Sequence, residues 1–525
     1  MRRLALVLFF ALNFSGLISS QAARAELRLP AVIADNMVLQ HGQAVPIWGW
    51  ANPGETVQVA IADKAAKSTA GPDGRWQVSL PKLKVSHHPL RLRVTASSGS
   101  VKIVKNVLVG EVWLCTGPSN IFWPVKKCDN AKQEITSAKY PKIRFFTVAK
   151  SLADSPQPDC KGNWISCSPK TVGEVSGVGY FFSRRIHQEL DMPIGVLQSF
   201  WGGSRVESWT SRQALRAEPG LQPILDWWKT SFAQFDSGEP QAQYQRQLQQ
   251  WRQLAAKAKR ENRKAPARPK KLEDPRQSRH RPASLYNGMI APLVPYRLRG
   301  IISYQGLGNL YWAKHSRLLM STMVRDWRSQ WKQPALPFGM VQPAPYPCDN
   351  WAKLESDAYS LQREGQLLLL DELPHTGIAP TTDIGDLNEL HFTNKQAVGR
   401  RMASWALATV YDKSIPYSGP IYQSMKTEGS KIRIQFRHVG SGLKTSDGRE
   451  PTHFVIAGAD KQFQPAQAVI DGNSVLVSNR SIAKPVAVRF AWSDTAMPNL
   501  FNSDGLPASV FRTDVPSLHE LLPKQ

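Results

Sequence analysis

Four groups in this chain have the types needed for acyl transfer, and they stand in separate small-residue motifs. Ser119 lies in Leu114-Cys115-Thr116-Gly117-Pro118-Ser119-Asn120, and Gly203 in Trp201-Gly202-Gly203-Ser204. Asn309 ends Gln305-Gly306-Leu307-Gly308-Asn309, and His391 follows Asp383-Ile384-Gly385-Asp386. Cleaving an ester through a covalent intermediate needs a nucleophilic oxygen, a base to take its proton, and donors aimed at the developing oxyanion. Ser119 supplies the hydroxyl, and the imidazole of His391 has a proton affinity suited to general-base work near neutral pH. Gly202 and Gly203 let a backbone N–H approach a substrate closely, and Asn309 offers a side-chain amide donor. Asp386 and Glu389 both stand near His391 as candidate orienting acids, and spacing does not choose between them. Each residue also has a plainer reading: Ser119 as a helix N-cap, the glycines as a tight turn, His391 as a surface residue.

The elements that must position these groups change character along the chain. Residues 26–105 read as an N-terminal β domain, a small antiparallel sandwich. Short alternating runs such as Thr56-Val57-Gln58-Val59-Ala60 are divided there by Asn52-Pro53-Gly54 and Pro72-Asp73-Gly74 turns. Residues 106–415 alternate strand-like and helical stretches, which predicts an α/β fold with a parallel sheet covered on both faces. Val107–Trp113, Ile194–Ser199 and Gly300–Gln305 read as buried strands, and Gly177–Leu190 and Asn394–Tyr411 as helices. If a strand ends before Ser119, its hydroxyl sits at the carboxyl edge of the sheet, where such folds keep their sites. Residues 218–282 interrupt this pattern with Trp227, Trp228, Trp251 and a basic run, Lys257–His280. They predict a helical and basic insertion, either a flap beside the site or a solvated hairpin without a catalytic part. Residues 416–525 return to alternation, as in Lys431-Ile432-Arg433-Ile434-Gln435-Phe436, and predict a C-terminal β domain.

Composition narrows the partners. The formal net charge of +25 over 525 residues attracts anions, or serves solubility alone. Arg2 and Arg3, the apolar run Leu4–Leu12 and Ala23-Arg24-Ala25 predict a cleaved signal peptide over residues 1–25. The apolar run is too short to span a bilayer, which takes roughly 20 residues. Export disfavours nucleic acid and favours an acidic glycan or an anionic envelope surface, in the periplasm or outside the cell. Five cysteines without CxxC spacing do not make a metal site or a disulfide scaffold. Cys160 with Cys167, or Cys115 with Cys128, has the spacing to pair. No Gly-x-Ser-x-Gly elbow, HExxH or dinucleotide fingerprint occurs, so the expected chemistry uses no metal and no cofactor.

Taken together, these segments resemble the bacterial sialate O-acetylesterase family of the SGNH hydrolase superfamily. The resemblance is carried by Asp35-Asn36-Met37-Val38-Leu39-Gln40, Val107–Cys115, Val178–Phe182, Tyr286–Leu293 and Gly505-Leu506-Pro507-Ala508-Ser509, beside the motifs above. It implies a three-layer α/β/α catalytic domain of SGNH type flanked by β-sandwich domains. It also implies removal of acetyl esters from sialic acids or related sugars. Ser119 would then be the nucleophile and His391 the base, with Gly203 and Asn309 completing the oxyanion hole. The site departs from the family's usual Gly-Gln-Ser-Asn-Met-Glu-Trp, since Pro118, Ile121 and Phe122 replace Gln, Met and Glu. Gln-Gly-Glu-Ser-Asn has become Gln305-Gly306-Leu307-Gly308-Asn309, and Ile-His-Pro has become Leu390-His391-Phe392. Two alternatives follow: a degenerate paralogue that binds glycan without turnover, and an esterase of another acetylated polysaccharide such as xylan.

Overall fold

The computed structural model describes residues 26–347 and 357–515. The expected signal peptide and Cys348 lie outside the described residues. The other four cysteines are free thiols, so neither expected disulfide forms.

A sheet with strands β1 (Val101–Gly117), β2 (Tyr140–Thr147), β3 (Trp164–Cys167), β4 (Ile194–Phe200), β5 (Gly300–Ser303), β6 (Phe338–Val341) and β7 (Thr376–Ala379) forms the centre. Its spatial order is β7-β6-β5-β1-β4-β2-β3. Every pairing is parallel except β2 with β3. The β4 sequence Ile194-Gly195-Val196-Leu197-Gln198-Ser199-Phe200 is buried throughout, as expected of a strand covered on both faces.

Side-chain alternation assigns the two faces. Trp113, Cys115, Ile302, Val341 and Ala379 pack with helices α2 (Gly177–Leu190) and α7 (Lys395–Thr409). Their neighbours Val112, Leu114, Ile301, Met340 and Ile378 pack with α5 (Ser316–Gln330) and α6 (Ala358–Glu372) on the other face. The result is the three-layer α/β/α arrangement expected from the alternating pattern.

The insertion contributes α3 (Gln222–Asp236) and α4 (Glu239–Arg260). Most of the basic stretch after α4 is irregular, with one short turn at Pro275–Gln277.

The flanking regions are antiparallel for the most part. In the first, Thr56–Ile61 lies between Lys64–Thr69 and Ser86–Ala96, and Ser86–Ala96 pairs with the beginning of β1. β1 is 17 residues long and runs unbroken past residues 105 and 106. One sheet of the N-terminal region is therefore continuous with the central sheet. In the C-terminal region Ile432, Ile434 and Phe436 of one sheet pack with Phe454, Ile456, Val488 and Phe490 of another. Among the described residues no helix is long and apolar enough to cross a membrane.

Candidate active site

The chain turns sharply as it leaves β1. Gly117 has φ +140°, and a Cβ there would meet the Tyr304 carbonyl oxygen at 2.5 Å. Glycine thus lets β1 and the chain beyond β5 approach closely. Pro118, extended at φ −78°, caps a single turn, α1 (Ser119–Phe122). Ser119 is the first residue of that turn rather than its cap, and its side chain serves another partner. Ser119 Oγ lies 2.7 Å from His391 Nε2, across 272 residues of sequence.

The imidazole is held from several sides. Trp123 stacks on it with 4.8 Å between centroids and planes 5° apart. Asn120 Nδ2 donates to the Leu390 carbonyl at 3.1 Å, tying the His391 loop to α1. The His391 backbone N–H donates to Glu389 Oε1 at 2.8 Å, and the same oxygen lies 3.4 Å from Nδ1. Asp386 instead accepts from the Asn388 backbone N–H at 2.8 Å, within its own turn. Of the two candidate acids, Glu389 is therefore the one beside the ring. Burial pushes the His391 pKa below its ordinary value, Glu389 opposes this, and nearby Lys395 adds to it.

Lys395 escaped the sequence reading. It opens α7, where a cation opposes the helix dipole, and that misplaced charge was the available signal. Its ammonium donates to Asn120 Oδ1 at 2.7 Å and sits 3.5 Å from the centre of the Phe392 ring. Burial drives its pKa down to about 7.

The loop of the expected oxyanion glycines adjoins this pair. A Cβ at Gly202 would lie 3.5 Å from the Ser119 Cβ. Gly203 has φ +72°, and a Cβ at Gly308 would strike the Ser204 carbonyl oxygen at 2.5 Å. The loops after β4 and β5 are thus in contact. Asn309 is buried, and its amide is partly engaged: Oδ1 accepts from the Val206 N–H at 2.8 Å, and Nδ2 donates to Glu207 Oε2 at 2.7 Å. An amide nitrogen carries two hydrogens, so Glu207 takes one and leaves the other for a second acceptor. Glu207 is fully buried, and burial raises its pKa.

The departures from the family pattern have their own packing. Phe122 meets Phe200 with ring centroids 4.5 Å apart, and Leu307 packs beside Leu310, Ala358 and Tyr359. The four motif loops follow β1, β4, β5 and β7, all at the carboxyl edge. The connection out of β1 runs to β2 on one side and that out of its neighbour β5 runs to β6 on the other, and ligands of open α/β sheets bind at such a switch.

No family model matches this chain. Sialate O-acetylesterase of Mus musculus is 26% identical over 519 residues, covering 90% of this chain and 91% of the mouse protein. The Homo sapiens sialate O-acetylesterase is 25% identical over 445 residues, covering 78% and 76% respectively. The crystal structure of a carbohydrate acetylesterase from Xanthomonas citri is 34% identical with a TM-score of 0.79, and the match covers 93% of this chain and 100% of that one.

Proposed function

This chain belongs to the sialate O-acetylesterase family, and from that premise we propose that it is an exported carbohydrate O-acetylesterase working through an acetyl-serine intermediate. The observation that carries the mechanism is the 2.7 Å contact between Ser119 Oγ and His391 Nε2. In the first half-reaction Ser119 Oγ attacks the acetyl carbonyl carbon while its proton passes to Nε2. The tetrahedral oxyanion meets the Gly203 N–H, the second Asn309 Nδ2 hydrogen and the Ser119 N–H. The Ser119 N–H has no helical acceptor, because it belongs to the first turn of α1. The C–O bond to the sugar then breaks, and the imidazolium protonates the leaving sugar oxygen, which departs as a hydroxyl. In the second half-reaction water attacks the acetyl-serine, giving its proton to Nε2, and acetate leaves as Oγ is reprotonated.

The surroundings suit these steps. A base must be neutral to accept a proton, and burial favours neutral His391. Glu389 stabilises the imidazolium once it forms, and Trp123 fixes the ring plane so that Nε2 faces Ser119. The sugar is a sialic acid or a related acidic sugar on the net-positive charge of the chain, and an acetylated xylan is the contrasting substrate.

Acetate release from O-acetylated sialic acid and from acetylated xylan tests this reading. Wild-type protein should act on at least one, and Ser119→Ala should lower kcat/KM by at least about 10³-fold. Equal turnover by Ser119→Ala would remove Ser119 as the nucleophile. No release from either substrate by wild-type protein, with glycan still bound, would make the chain a non-catalytic glycan binder.

A further inference from the structure

Helix α3, the start of α4 and the loop that follows them line an open cleft of about 330 Å³. That size falls at the lower end of the ~300–1,000 Å³ usual for ligand pockets. One wall is aromatic: Trp227 and Trp228 meet edge-on with centroids 5.0 Å apart, and Phe235 lies beside them. Trp227 is 45% exposed. The polar part of the lining includes Arg205, Gln234, Glu273, Asp274 and His280.

Arg205 and the sequence neighbour of His280 lie beside the expected oxyanion loops. Arg205 lies 5.7 Å from the centre of the Trp227 ring and 4.0 Å from Glu207, the carboxylate that holds Asn309. His280 adjoins Arg279, whose Nη2 would be 3.1 Å from a Cβ at Gly203. The cleft therefore begins where the expected oxyanion loops end. Burial and the neighbouring guanidinium groups lower the His280 pKa to about 4, so its ring is neutral at physiological pH.

From this placement we infer that the insertion builds a second sugar subsite, which takes the pyranose linked to the O-acetylated sugar. A pyranose presents an apolar C–H face and a rim of hydroxyls. The indole of Trp227 matches the face. The Gln234 amide, the His280 imidazole and the Arg205 guanidinium match the rim. The inference rests on the carbohydrate-ester reading, because it uses the expected acyl site to orient the glycan.

Calorimetric titration of the full-length Ser119→Ala chain with sialyllactose and with xylotetraose tests it without turnover. At least one oligosaccharide should bind. Adding Trp227→Ala should weaken that binding about tenfold, whereas Trp227→Phe should retain most of it. Thermal unfolding checks that each variant is folded. Binding of neither oligosaccharide, or binding that Trp227→Ala leaves unchanged, overturns the subsite. Binding that depends on Trp227 in a protein whose wild type releases no acetate would overturn the esterase and leave the subsite standing.

Discussion

The Glu389 carboxylate is about half exposed and stands 3.4 Å from His391 Nδ1. An exposed ion pair is worth at most about 1 kcal/mol, so Glu389→Gln should lower kcat/KM no more than about fivefold. The pH profile is the sharper readout. kcat/KM should fall on the acid side as His391 becomes protonated, at a pKa below the ordinary imidazole value, because burial disfavours the cation. Glu389 favours the cation, so Glu389→Gln should move this limb to still lower pH. An unmoved limb would mean that the carboxylate does not act on the ring. Ser119 and His391 were legible as candidates because a hydroxyl and an imidazole in separate loops announce their chemistry. The choice of Glu389 over Asp386 was not, since it depends on how a turn folds back on itself. Trp123 was equally silent: an aromatic after a nucleophile motif reads as core until its ring is found parallel to an imidazole.

Helix α7 carries a buried charge into the site through Lys395. With a folded pKa of about 7 against an ordinary 10.5, the native state gives up this proton far earlier than the unfolded chain does. Below that window both states hold the proton, and the cost of burying the cation is felt in full. As pH rises from 7 toward 10.5 the unfolded chain binds more protons, and stability increases. Lys395→Met lacks this dependence, so its Tm relative to wild type should be highest near about pH 6 and lowest near about pH 10. A difference in Tm that stays flat with pH would exclude the titration. The elements themselves followed the hydrophobic pattern closely: Gly177–Leu190 is the helix expected, and Ile194–Phe200 extends the expected strand by one residue. Elements covered on both faces declare themselves by unbroken apolar runs. The engagement of Asn309 with Glu207 could not be read that way, because it joins loops roughly a hundred residues apart.

Across the whole molecule, side chains from both partners join the C-terminal region to α6. Arg512 donates to both Glu364 oxygens at 2.8 Å, Arg437 reaches Asp371 at 2.9 Å, and Arg363 donates to the Ser493 carbonyl at 2.9 Å. The Arg512–Glu364 pair is bidentate and largely sheltered, so Arg512→Ala should cost about 1–3 kcal/mol. Calorimetry should record a lower Tm, while turnover of a small acetyl ester at room temperature stays unchanged. A parallel loss of turnover would mean that this clasp also shapes the acyl site. The N-terminal region is joined differently. β1 pairs with Ser86–Ala96 near its beginning and with β4 and β5 near its end, and it delivers Ser119 two residues after its last residue. A chain severed within it would lose a beam and not a tether. The first β region is thus part of the framework under the nucleophile, and removing it would unpair the beginning of the strand that carries the chain to Ser119.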